Sequence, residues 1–168
     1  MKIIPKPIFK FTLLIFLLLL SFGSCKPLAT CIHMPSGSIG LHFNEEQEIE
    51  VFAAEYYSCD YLKVDSGQVY NFIVKDKSSW IDLWKTCDAK GYSNRLLKEK
   101  KKRVDADCFT LCGTTGICDK LSFIISDSLF NYEVNQGGDL HFFANDHKNP
   151  FFYKNNKGSI KIKVYRVR

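Results

Sequence analysis

The chain has 168 residues, 46% of them hydrophobic and 14% aromatic, with 23 Lys and Arg against 18 Asp and Glu. This composition excludes a disordered polyelectrolyte and a collagen-like or low-complexity polymer, and the length leaves room for one sizeable core. Lys2, Lys6 and Lys10 stand at the very start; without residues 1–24 the balance is twenty basic against eighteen acidic residues, too even to suggest a nucleic-acid binder.

Those lysines precede an apolar run, 11–20, broken only by Thr12, and small residues follow at Gly23 and Ser24. A basic start, a short apolar stretch and small residues before a cut site are the parts of an export signal. The uncharged stretch 11–25 has 15 residues, short of the roughly 18 that a spanning helix needs. Residues 1–24 are therefore expected to be removed; the alternative is an uncleaved anchor. Residues 25–37, with Pro27, Pro35, Ser36 and Gly37, read as a tether, and 38–168 as one domain.

From there the chain is a series of short runs rich in β-branched and aromatic residues: 39–43, 48–54, 61–64, 69–74, 108–111, 121–125, 130–134, 140–144 and 159–167. The last alternates, with Ile160, Ile162 and Val164 against Lys161 and Lys163, as in a half-buried antiparallel strand. Turn residues separate the runs at Asp65-Ser66-Gly67, Gly137-Gly138 and Asn155-Asn156-Lys157-Gly158. Only 96–102 has helical character. Many short strands with polar turns predict an all-β fold, an antiparallel β-sandwich or jelly roll.

Seven cysteines are an odd set, and without Cys25 six remain. An exported domain is expected to pair them as disulfides rather than bind zinc. Cys112 and Cys118 bracket the flexible Gly-Thr-Thr-Gly-Ile and are the first expected pair; Cys31–Cys59 and Cys87–Cys108 follow by elimination. Residues 95–103 hold six basic residues and one acid, and without them the mature remainder is net negative. Such a run is either a solvated face or an anchor for acidic polysaccharide or anionic lipid.

No Gly-x-Ser-x-Gly elbow, His-Glu-x-x-His or phosphate loop occurs, and His33, His42, His141 and His147 are scattered. Catalysis is not expected. The C-terminal third is more informative. A strand ends in Asn145-Asp146, a loop follows, and Asn155-Asn156 precede Gly158 and the last strand. Asp146 and the amide oxygens of Asn155 and Asn156 are hard donors that suit Ca²⁺; the same residues also make an ordinary strand end and hairpin turn. Tyr153, with Phe151 and Phe152, falls in that loop, either stacking on a sugar or turned into the core.

Two resemblances add to this. Phe22-Gly23-Ser24-Cys25 resembles the bacterial lipobox, which implies a lipid on Cys25 and a membrane anchor in the cell envelope. The order of Cys59-Asp60 through Val69, Trp80, Leu111-Cys112-Gly113, Asn145-Asp146 and Asn155-Asn156-Lys157-Gly158-Ser159 resembles the bacterial galactophilic lectins, the LecA-like jelly rolls, over about 56–168. That resemblance implies a calcium-dependent carbohydrate-binding domain. Asp146, Asn155 and Asn156 would supply metal and sugar contacts, and backbone carbonyls from 151–153 and from the loop after Val74 would complete the shell. The loop from Asp146 to Asn155 is two residues longer than the lectins', and the basic run replaces their His-containing sugar-contact loop. The expected function is a non-catalytic, lectin-like envelope lipoprotein. The alternatives are a structural or interaction module that keeps the fold without the site, and an accessory enzyme subunit or hydrolase.

Overall fold

The computed structural model describes residues 39–59, 62–75, 79–117 and 119–168. The export signal, the tether, Cys25, Cys31 and Cys118 lie outside the described residues. The strands, in chain order, are β1 (Ile39–Gly40), β2 (Glu46–Phe52), β3 (Leu62–Val64), β4 (Val69–Val74), β5 (Trp80–Asp82), β6 (Lys85–Cys87), β7 (Leu111–Thr115), β8 (Ser122–Ile124), β9 (Ser128–Glu133), β10 (Gly138–Ala144) and β11 (Asn156–Arg166). Three short 3₁₀ helices join them: η1 (Arg95–Lys100), η2 (Asp119–Leu121) and η3 (Pro150–Asn155).

The strands form two sheets. One has the order β1-β3-β10-β7-β8; the other has β6-β5-β11-β4-β9, with β2 also paired to β11. The fold is thus the expected all-β sandwich. β11 is its spine: it pairs antiparallel with β2, β4 and β5. Its alternation decides which face is buried. Ile160, Ile162 and Val164 are fully buried, while Lys161 and Lys163 stay at the surface. They meet Phe72 of β4 and, across the sandwich, Leu140 and Phe142 of β10. Trp80 lies wholly inside, and its indole nitrogen donates to Val51 O at 3.3 Å. Each such large apolar side chain contributes about 1.5–3 kcal/mol. The ion pairs among the described residues join side chains at least 26% exposed, where water and salt screen them to little net effect. Burial therefore dominates the fold.

The first sheet is covered on both faces. Successive strand residues point to opposite sides, so Phe142 faces the main core while Phe143 and its ladder partner Cys112 face a second cluster with Tyr57 and Ala106. Within this outer layer lies Lys102, 5% exposed, its ammonium 3.3 Å from the centre of the Tyr56 ring, 3.7 Å from Tyr57, 4.3 Å from Phe143 and 4.8 Å from Tyr153. Its Nζ also donates to Tyr56 O. The basic run is thus not one solvated face: Lys101 and Lys102 are buried, and Lys101 Nζ donates to Ala106 O.

Several expectations are corrected. The strand expected over 108–111 begins at Leu111, because Phe109 takes a left-handed φ of 62° and Leu111 is the first residue to pair with β10. Asn155-Asn156-Lys157-Gly158 is not a hairpin turn: β11 already starts at Asn156, opposite Asp82. Gly158 is required there, since φ is +84° and a Cβ would lie 2.4 Å from Ser79 O. Two cysteine pairings fail. Cys112 is a free thiol, buried in the outer layer, so it is not joined to Cys118. Cys87 and Cys108 are also free: β6 holds Cys87 opposite Trp80, and Tyr92 holds Cys108 through a separate bridge. Burial pushes the Cys112 thiol up to about 12 and Cys87 and Cys108 up to about 11, so none is a reactive thiolate near neutrality. Cys59 is disulfide-bonded, and its expected partner Cys31 lies outside the described residues.

A Cβ on Gly113 would meet the Phe123 ring at 2.5 Å. Gly113→Ala should destabilise the fold by about 1–3 kcal/mol, and Phe123→Leu in the same chain should recover part of the loss in urea denaturation. Burial lowers the Lys102 pKa well below its ordinary value, against the opposing pull of Asp119. The unfolded chain then holds more protons between the folded value and about 10.4, so stability should rise with pH through that window. Relative to Lys102→Met, the wild type should gain stability as the pH approaches about 10; a constant difference across pH would contradict the burial.

Candidate functional site

Asp146 stands two residues past β10 in one sheet, and Asn156 opens β11 in the other. A buried hydrogen bond joins them: Asn156 Nδ2 donates to Asp146 Oδ2 at 2.9 Å, and also to Ala53 O at 3.2 Å. Both acceptors are oxygens, so the amide orientation is fixed. Asn156 Oδ1 points elsewhere and, among the described residues, is buried without a hydrogen-bond partner. Asp146 Oδ1 accepts from His147 N at 2.7 Å. Asp146 is only 4% exposed. Burial raises its carboxyl above the usual carboxylate range, and the bonds from Asn156 and His147 oppose that only in part.

Asn155 is half-buried and shares with Asp146 a surface groove of about 520 Å³. The structure therefore brings Asp146, Asn155 and Asn156 into one neighbourhood. Tyr153 is different. It is 1% exposed, its hydroxyl donates to Ala144 O at 2.8 Å, and it accepts from Asp146 N at 3.3 Å. It is a buried prop beneath Asp146, which corrects the expectation of a sugar-stacking ring. η3 causes this. Asn149 caps it through Phe151 N and Pro150 enters its first turn, so Tyr153 turns inward while Phe151 and Phe152 stay outside, 67% and 45% exposed.

The groove wall beside Asp146 is the β5–β6 hairpin, while residues 76–78 of the loop after Val74 lie outside the described residues. Asp82 pairs with Lys85, which leaves Leu83-Trp84 as a two-residue turn. Leu83 adopts φ 54°, a left-handed conformation that costs a branched side chain about 1–2 kcal/mol. The turn projects Trp84 into solvent at 85% exposure. Across the groove η1 presents Leu96, 87% exposed, and Leu97. Asn94 caps η1, its side chain accepting from Leu96 N at 3.1 Å. On the floor, the Tyr92 hydroxyl donates to Asp82 Oδ2, and Lys85 Nζ sits 3.8 Å from the Tyr92 ring centre. Burial and the Asp82 bond keep the Tyr92 hydroxyl protonated far above neutrality. Phe152 borders the groove, stacked on His147 at 4.2 Å.

Asp82, Trp84 and the η1 leucines were not anticipated from the sequence. The available signal was a Trp between two three-residue strand segments, too short to stand out by alternation. Chemically, the site combines carboxylates, amides and exposed rings. Among the described residues no group of three or more His, Cys, Asp or Glu side chains gathers as a metal cluster. A cation would thus lean on amide and carbonyl oxygens. Asn156→Ala should lower stability by about 1–3 kcal/mol, because it strips Asp146 and Ala53 O of a buried donor; equilibrium urea unfolding measures this.

Neither a family model nor a curated protein matches the chain. Among solved structures it is similar to one described as the EclA N-terminal domain, a PllA-like lectin. The TM-score is 0.53 and the identity 17%, over 71% of this chain and 94% of that one. The likeness is one of fold.

Proposed function

We propose that the protein binds carbohydrate without catalysis, in the groove between the β5–β6 hairpin and η1. The observation that carries this is Trp84, 85% exposed on a groove that also holds Asp82, Asp146 and Asn155. Sugar C–H faces stack on exposed rings, while hydroxyls bond to carboxylates and amides. The lectin-like fold supports the same reading.

The donor chemistry also fits a calcium ion. Asp146 is a buried carboxylate, and Asn156 Oδ1, on the side of the amide turned from it, is a buried oxygen without a hydrogen-bond partner among the described residues. Asp146, Asn155 and Asn156 would hold the ion. When bound, it supplies a positive charge that neutralises Asp146 and ligates sugar hydroxyls. One observation favours the alternative of a fold-keeping interaction module: both Asp146 oxygens already have donors, at 2.7 and 2.9 Å. We also propose, from the sequence, that residues 1–24 direct export and that Cys25 carries a lipid in the cell envelope.

The chain has two tryptophans, and Trp80 is fully buried. Binding should therefore change Trp84 fluorescence, and Trp84→Ala should remove that change and weaken glycan binding roughly tenfold or more. Calcium at 100 times its dissociation constant should stabilise the wild type by about 2.7 kcal/mol, and Asp146→Asn should cancel the increment. If neither calcium nor any glycan on an array shifts melting or fluorescence, the interaction-module reading stands instead. Cys25→Ala should move the protein from the membrane fraction to the soluble one.

A further inference from the structure

A second cavity, of about 370 Å³, lies on the other side of η1. Ser93 and Asn94 line both cavities, so the two grooves meet where η1 begins. η1 is a 3₁₀ helix with three residues per turn, so side chains at i and i+3 lie directly above one another. This spacing sorts the basic run. Arg95, Lys98 and Lys101 line the second cavity, while Leu96 and Leu97 line the first. In an α-helix, at 3.6 residues per turn, the same cations would drift around the axis.

The charge in the second cavity is largely uncommitted. Lys101 Nζ is held by Ala106 O. Asp105 is paired with Arg103 at 2.8 Å. Arg95 and Lys98 are exposed and make no ion pair among the described residues. That leaves two solvated cations against the single carboxylate of Asp107. Arginine and lysine together suit a sulfate, phosphate or carboxylate group.

We infer that the binding site continues over Ser93 and Asn94 into this basic groove, and that its ligand is an acidic oligosaccharide. One sugar unit sits against Trp84, and a neighbouring unit presents a sulfate or uronate to Arg95 and Lys98. This rests on the carbohydrate-binding reading above and adds the charge of the ligand to it.

The test is a panel of oligosaccharides in matched neutral, sulfated and uronate forms, on galactose, mannose, glucose and N-acetylhexosamine backbones. Binding is measured with the wild type, Arg95→Ala/Lys98→Ala and Trp84→Ala. Both cations are exposed, so the double variant should fold as the wild type does, which its melting curve checks. The charged member of a pair should bind about tenfold more tightly than its neutral partner at about 150 mM salt, and added salt should erode only that gain. The double variant should lose the gain and keep the neutral affinity, and the sulfate and uronate arms identify the preferred anion. Equal binding of charged and neutral forms by the wild type overturns this inference and leaves the carbohydrate reading intact. So does a double variant that keeps the preference. Charged ligands that bind Trp84→Ala undiminished show that the two grooves are not one site, which also overturns it. If no member binds, neutral or charged, both readings fall.

Discussion

The hydrogen bond between Asn156 and Asp146 is the constraint on which the site depends. It joins the end of β10 in one sheet to the first residue of β11 in the other, inside the protein. A carboxylate taken out of water must be neutralised or hydrogen-bonded. Here Asn156 and His147 donate to the two carboxylate oxygens, and the Tyr153 hydroxyl beneath accepts from the Asp146 backbone N–H. η3 follows Asp146, and its Asn149 cap turns Tyr153 inward and brings Asn155 and Phe152 to the groove. The rim is therefore positioned by a buried polar contact, while the sandwich itself is held by apolar burial.

The same region shows how one basic stretch divides its labour. Lys101, Lys102 and Arg103 serve the interior or its border. Lys102 sits among four aromatic rings, and Arg103 donates to Ser122 O and pairs with Asp105. A buried ammonium is costly, and the rings together with the Tyr56 carbonyl offset that cost. Lys102 also ties the outer layer to the site, since its backbone N–H donates to the Asp146 carbonyl at 3.0 Å. Arg95, Lys98 and Lys100 remain in water. The division falls where the 3₁₀ helix ends, which is a matter of backbone geometry and not of residue type.

The all-β class and most of the strands are legible in the residues alone. Alternation at Ile160, Ile162 and Val164 is enforced by a period of two, and it reads the same in any sandwich. The sequence also marked Asp146, Asn155 and Asn156 as a group, because a strand end and the start of the next strand are local features. Tertiary structure decided everything that depends on direction. Whether Tyr153 faces sugar or core turns on the η3 cap at Asn149, and whether Cys112 meets a partner or an aromatic layer turns on which face of β7 it occupies. Asp82 and Trp84 join Asp146 only because β5 pairs with the first residues of β11, a contact between positions more than 70 residues apart. Composition cannot encode such pairings; they emerge when the sheets close and each buried polar group must find its partner.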